Sequence, residues 1–187
     1  MTTPYHLRTA LLAAGRLSAT LALAFWTAAV PAGALEEDPD GRRPALQLPD
    51  LEGHTVDLGD YRGQVVLVNF WASWCSPCIE EMPGILHLEA AMRDHPFAVI
   101  GVNVAEARLR ARTAAQRLGL DFPVLLDRDQ AAFRAWGAEV LPTSYVLDVD
   151  GRIRYTAQGP LDWDDAAIVD RLKALAAHPA VGHQAAR

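Results

Sequence analysis

Seven consecutive residues, VVLVNFW from Val65 to Trp71, form an unbroken β-branched and aromatic run interrupted only by the amide of Asn69. A strand with one face in water would alternate apolar and polar residues. This one does not, so it is expected at the centre of a sheet, covered on both faces. Cys75 and Cys78 follow almost at once, and behind them Ile79, Met82, Leu86 and Ala90 recur at helical spacing as far as about Arg93. Pro83 falls inside that pattern, where it is expected to kink the helix. A central strand running directly into a helix puts the intervening loop at the carboxyl end of the sheet, which is where open α/β folds carry their chemistry.

The flanking sequence fills in a mixed α/β arrangement. Short strands are expected around Leu46–Leu48 and Thr55–Leu58, separated by Asp/Gly turn residues, and so a hairpin. FAVIGVNV, Phe97 to Val104, reads as a second buried strand. EARLRARTAAQRLGL reads as an Arg-rich amphipathic helix closed by Gly119, its arginines taken as a solvated face rather than a binding surface. FPVLLD is a short strand and QAAFRAWG a short helix ending at Gly137. TSYVLDVDGRIRYTAQG is a hairpin turning at Asp150-Gly151, and a last amphipathic helix starts near Asp164. Strands alternating with helices and closing on a hairpin predict a mixed sheet with helices on both faces.

The 187 residues, about half of them apolar, suit one domain with one core. Arg8 and Arg16 are the only charged residues before Glu36, and from Leu17 an apolar run ends in small residues, with Ala32-Gly33-Ala34 as a cleavage site. Residues 1–34 are therefore expected to be a signal peptide or an N-terminal membrane anchor. Residues 35–45, polar and rich in turn formers, read as a linker, 46–177 as the folded domain and 178–187 as a tail. The product would be periplasmic or otherwise extracytoplasmic, soluble after cleavage or held by the leader. Without the leader's two arginines, 15 Lys and Arg face 23 Asp and Glu, a formal charge of −8. With no basic patch carrying interleaved aromatics, nucleic acid is not an expected partner.

An exported chain with two cysteines, both in one C-x-x-C, has no disulfide framework. A bridge across three positions closes almost no loop and adds almost no stability. A structural zinc would need about two more ligands, and His6, His54, His87, His95, His178 and His183 show no ligand spacing with the cysteines or each other. Two thiolates alone can hold copper(I), so a copper carrier without redox turnover stays open as the alternative to an enzyme. A peroxidatic site of the Pro-x-x-x-Thr-x-x-Cys kind is absent, since Val68 and Ala72 stand at its first two positions. For redox work the two cysteines divide naturally. Cys75 would sit at the first turn of the helix, where free N–H groups and the dipole favour thiolate, and so serve as nucleophile. Cys78, one turn further in, would resolve a mixed disulfide. Pro77 fits a first-turn position, where it forfeits no hydrogen bond.

VVLVNFWASWCSPCIEEMP, followed much later by VLPTSYVLDVDGRI, resembles the thioredoxin-fold family of exported thiol-disulfide oxidoreductases of the TlpA and ResA type, over essentially Leu46 to Ala177. The resemblance implies an α/β thioredoxin fold, a mixed central sheet flanked by helices, with an added N-terminal β-hairpin and an inserted strand-helix element. No cofactor or metal is expected, and the resemblance implies client proteins with disulfides such as those of cytochrome c maturation or metal-site cysteines, and a membrane electron donor. It also implies that Pro142 is a cis-proline facing the cysteines, so that the Leu141 backbone can pair with an extended client segment. Asn69 stands where thioredoxins have a buried Asp, and it cannot titrate. The family match offers Glu81 instead, on the same helix face as Cys78. Trp71 is expected in the core, and Trp74 is a candidate wall of the client site. Ser76-Pro77 brings no cation to stabilise a thiolate, which favours a reductant over a disulfide donor.

Overall fold

The computed structural model describes residues 34–177; the leader expected over 1–34 and the tail over 178–187 lie almost wholly outside them. The central run becomes β4 (Val65–Trp71), every residue of it buried. Its side chains alternate between two cores: Val65, Leu67 and Trp71 enter one, while Val66, Val68 and Phe70 enter the other. Parallel β5 (Phe97–Val104) and antiparallel β7 (Thr143–Leu147) flank it. Beyond these lie β6 (Val124–Asp127) beside β5, and β8 (Ile153–Gln158) beside β7, so the sheet runs β8-β7-β4-β5-β6 and then gains one more strand at the β8 edge.

That extra strand is β1, Glu36–Glu37, which pairs antiparallel with Tyr155 and Thr156. It falls inside the stretch read as a linker, so the domain starts about ten residues earlier than its turn-rich composition indicates. The reason is tertiary. The Ile153 N–H donates to Arg42 O (2.9 Å), the Arg42 guanidinium donates to Trp136 O (3.3 Å), and the Trp136 indole donates to Ala45 O (3.1 Å). Partners more than ninety positions away thus order this polar stretch. Two exposed glutamates also protect the edge they form against pairing with another chain.

The expected hairpin is present as β2 (Gln47–Pro49) and β3 (Thr55–Asp57), a separate two-stranded sheet. Its turn is held by Asp50, whose carboxylate accepts from the N–H groups of Glu52, Gly53 and His54. Helix α1 (Ser76–Ala91) continues through Pro83. With α2 (Arg108–Leu118) and α4 (Ala166–Ala177) it covers one face, burying Met82, Ile85, Leu88, Ala114, Ala115 and Leu172. The short α3 (Ala131–Ala135), the hairpin and an aromatic group cover the other. Phe70 meets Phe133, Trp136 and Tyr145 edge to face at centroid distances of 5.6–6.0 Å. The element inserted between β5 and β7 supplies β6 as the outer parallel strand.

Gly101 on β5 lets the strand pass beneath Trp71. A Cβ there would come within 3.1 Å of the Phe122 ring and 3.2 Å of the Trp71 indole nitrogen. Gly101→Ala is therefore expected to destabilise the protein by about 1–3 kcal/mol, read as a lower urea midpoint at unchanged slope.

Candidate active site

Four chain segments converge because of the sheet's register. Strands β4, β5 and β6 are parallel, so Ala72–Cys75, Ala105–Glu106 and Arg128–Gln130 all emerge at one end. Strand β7 is antiparallel, with Thr143 opposite Phe70, so the residues just before it, Val140–Pro142, reach the same end. Together they enclose a groove of about 560 Å³ floored by Cys75 and walled by Trp74, Pro77, Val104, Phe133, Val140 and Leu141. Trp74 is 61% exposed, whereas Trp71 is fully buried. The polar groups on the groove are Ser76, Gln130 and Glu139. Ala105 and Gln130 border it with φ of 60° and 61°, the only non-glycine residues among those described in the left-handed region.

Cys75 caps α1. Its backbone is extended (φ −90°, ψ 100°), and its sulfur accepts from the Cys78 N–H at 3.3 Å. The same sulfur is bonded to Cys78, with the two Cα atoms 5.3 Å apart. Pro77 occupies the first turn, as its missing donor allows. Cys75 keeps 6% of its surface exposed and Cys78 none, so one sulfur faces the groove and the other the core. At a helix N-terminus, a backbone donor aimed at the outer sulfur stabilises charge there.

One helical turn after Cys78 on α1 stands Glu81. It is buried, while its neighbour Glu80 is exposed. Asn69 donates to one carboxylate oxygen at 2.8 Å, and the Leu161 N–H (3.2 Å) and the Trp163 indole (3.3 Å) donate to the other. Asn69 also donates to Ser144 Oγ (2.9 Å). Burial pushes the Glu81 carboxyl up to about 7, against the pull of the donors from Asn69, Leu161 and Trp163. The strand amide that cannot titrate is thus tied directly to an acid that can.

The bond between Leu141 and Pro142 is cis. Leu141 lines the groove beside Cys75, and Pro142 is buried. Two acids escaped the sequence reading. Glu106, taken only as the start of α2, is buried and accepts from the Ser73 N–H (2.7 Å), the Ser73 hydroxyl (2.6 Å) and Asn103 (2.8 Å), which pins the loop leading to Cys75. Asp127 accepts from the N–H groups of Ala132 and Phe133 and so sets α3 against the groove. Asp127 closes β6 and Glu106 stands two residues after β5, both at the carboxyl end of a parallel strand, and that position was the available signal.

A family model described as Redoxin matches residues 36–173, most of the chain. The chain belongs to the Redoxin family. Within it, the thiol-disulfide oxidoreductase ResA of Geobacillus thermodenitrificans is 37% identical over 122 residues, covering 65% of this chain and 70% of that one. ResA of Bacillus subtilis is 29% identical over 118 residues, 63% and 66% of the two chains. Among solved structures, a Chlorobium tepidum protein described as thiol:disulfide interchange protein DsbE superposes with a TM-score of 0.68 at 28% identity, over 76% of this chain and 99% of that one. The fold is thioredoxin-like, and this Redoxin-family chain is a thiol-disulfide oxidoreductase that carries a Cys75–Cys78 disulfide.

Proposed function

We propose that the protein is exported and works as a reductant of protein disulfides, with Cys75 as nucleophile and Cys78 as resolving cysteine. The observation that carries this reading is the asymmetry of the pair: an outer sulfur at a helix N-terminus on the floor of an apolar groove, and an inner one sealed against the core beside a buried acid. The Cys75 thiolate attacks one sulfur of a client disulfide, and the client's other sulfur leaves and takes a proton. Cys78 then gives its proton to ionised Glu81 and attacks the Cys75 sulfur. The client departs as a dithiol, and the two electrons it gained leave Cys75 and Cys78 oxidised to a disulfide. Trp74 and Leu141 flank the incoming segment, which adds alongside the Leu141 backbone just before β7 starts, with Pro142 behind it.

The Ser76-Pro77 pair supplies no cation to stabilise the reduced state, which supports a reductant. In an oxidising compartment such a protein is recharged by a membrane electron donor, and its clients are disulfides of the kind formed in cytochrome c maturation or at metal-site cysteines. Among the described residues no helix is long and apolar enough to cross a membrane, and the apolar run within residues 1–34 is the segment we propose for export or attachment.

The reduced protein is expected to reduce a protein disulfide with multiple turnovers when a dithiol regenerates it. At neutral pH, Cys75 is expected to alkylate at least about tenfold faster than Cys78, since it combines access with thiolate character. Stoichiometric copper(I) binding without any turnover would overturn the reading in favour of a metal carrier, and a faster Cys78 would reverse the two roles.

A further inference from the structure

The arginines of α2 divide into two pairs. Arg112 is used internally, donating to Leu51 O and lying 3.3 Å from Glu52 Oε1, and Arg108 lies against Gly53 of the hairpin turn. Arg110 and Arg117 are spent on nothing comparable. Arg110 is 69% exposed and touches Glu106 only at 4.0 Å, the limit of an ion pair, while Ser73 and Asn103 hold that carboxylate at 2.6–2.8 Å. Arg117 is exposed, with no ion-pair partner among the described residues. Both line a second groove of about 490 Å³ with Thr113, Ala114, Leu109, the last 77% exposed, and Ser73. No carboxylate lines it. Ser73 adjoins Trp74, so this groove and the Cys75 groove lie on either side of the same loop.

Arg117, without an ion-pair partner among the described residues, Arg110, largely exposed and only 4.0 Å from Glu106, and an exposed leucine, in a groove that no carboxylate lines, are complementary to an acidic segment that also carries an apolar side chain. We infer that the α2 groove docks such a segment of a protein that exchanges its disulfide with Cys75. The inference rests on the proposed exchange at Cys75 and adds the partner's chemistry to it. Ser73 stands two residues before Cys75, so a segment seated against it lies beside the loop that carries the disulfide. Exposed arginines contribute mainly to the encounter rate and its salt dependence.

The test uses the reduced full-length protein and three synthetic peptides, each holding one intramolecular disulfide flanked by aspartates, serines or lysines. At low ionic strength the aspartate peptide is expected to be reduced about tenfold faster than the lysine peptide, and the advantage to shrink to about twofold at high salt. Arg110→Glu with Arg117→Glu is expected to reverse the order, and the two Lys substitutions to keep it. Arg43→Glu with Lys173→Glu, equal in net charge change, is expected to leave it. Rates with the neutral 2-hydroxyethyl disulfide should be the same in all variants, which separates docking from folding and chemistry. Equal rates for the three peptides, or a reversal caused equally by the distant pair, would overturn the inference while leaving the exchange reading intact. Failure to reduce any peptide would overturn both. Binding to phosphatidylglycerol vesicles that the groove pair abolishes, without any change in peptide order, would overturn it in favour of a lipid surface.

Discussion

Cys75→Ser is expected to lower turnover on protein disulfides by at least about a thousandfold, because serine at this position offers no nucleophile that ionises near neutral pH. Cys78→Ser should behave differently. It keeps the attacking sulfur and the N–H donor from residue 78, so the first half of the exchange still runs, and the protein should accumulate as a mixed disulfide with its client. Non-reducing gels would show the trapped adduct for Cys78→Ser and none for Cys75→Ser. An adduct formed through Cys78 in the Cys75→Ser variant, at a rate near that of the native protein, would reverse the assignment. Proteins trapped this way from the source cell would also identify the clients.

Glu81→Gln is expected to slow resolution of the mixed disulfide by roughly tenfold to a hundredfold, within the usual range for a lost proton acceptor. Only ionised Glu81 can take the Cys78 proton, so resolution by the native protein should rise as pH passes through about 7 and then level off. The variant should lack that step, and loss of the neighbouring negative charge should lower the pKa of the cysteine thiols. Glu80→Gln, at an exposed position, should leave both quantities unchanged. Stability gives a second readout. The Glu81 carboxyl is raised from 4.5 to about 7 in the folded protein, so between those values the folded state binds more protons than the unfolded chain. The contribution of Glu81 to native stability should therefore be fully present below pH 4.5 and be lost as pH rises through about 7, by at most roughly 3 kcal/mol. Glu89, also raised to about 7 by burial and by Asp121, titrates in the same window. The difference between native and Glu81→Gln curves isolates Glu81. Parallel pH curves, with an unchanged resolution rate, would make Glu81 a structural acid only.

Much of this was legible in local pattern. A run such as Val65–Trp71 can be satisfied only at the centre of a covered sheet, and two cysteines three apart after it can hardly avoid the first turn of the next helix. The chemistry of that position, a capped sulfur with a backbone donor, follows from helix geometry and needs no distant partner. Periodicity also put Glu81 on the Cys78 face of α1. What it could not decide was whether that face meets water. Leu161 and Trp163, some eighty positions downstream, together with Asn69 on β4, wrap the carboxylate, and this desolvation turns an ordinary glutamate into a group that titrates near neutrality. Glu106 on Ser73 and the strand at Glu36–Glu37 share that dependence, since hydrogen bonds across 33 positions and a β-pairing across about 120 leave no trace in local composition. The sequence by itself determined where the two sulfurs sit on the fold and the short-range helix-terminus geometry around the outer one. Only the tertiary structure decided which charges are stripped of water around them, because desolvation depends on every element packed against a group and not on its chain neighbours.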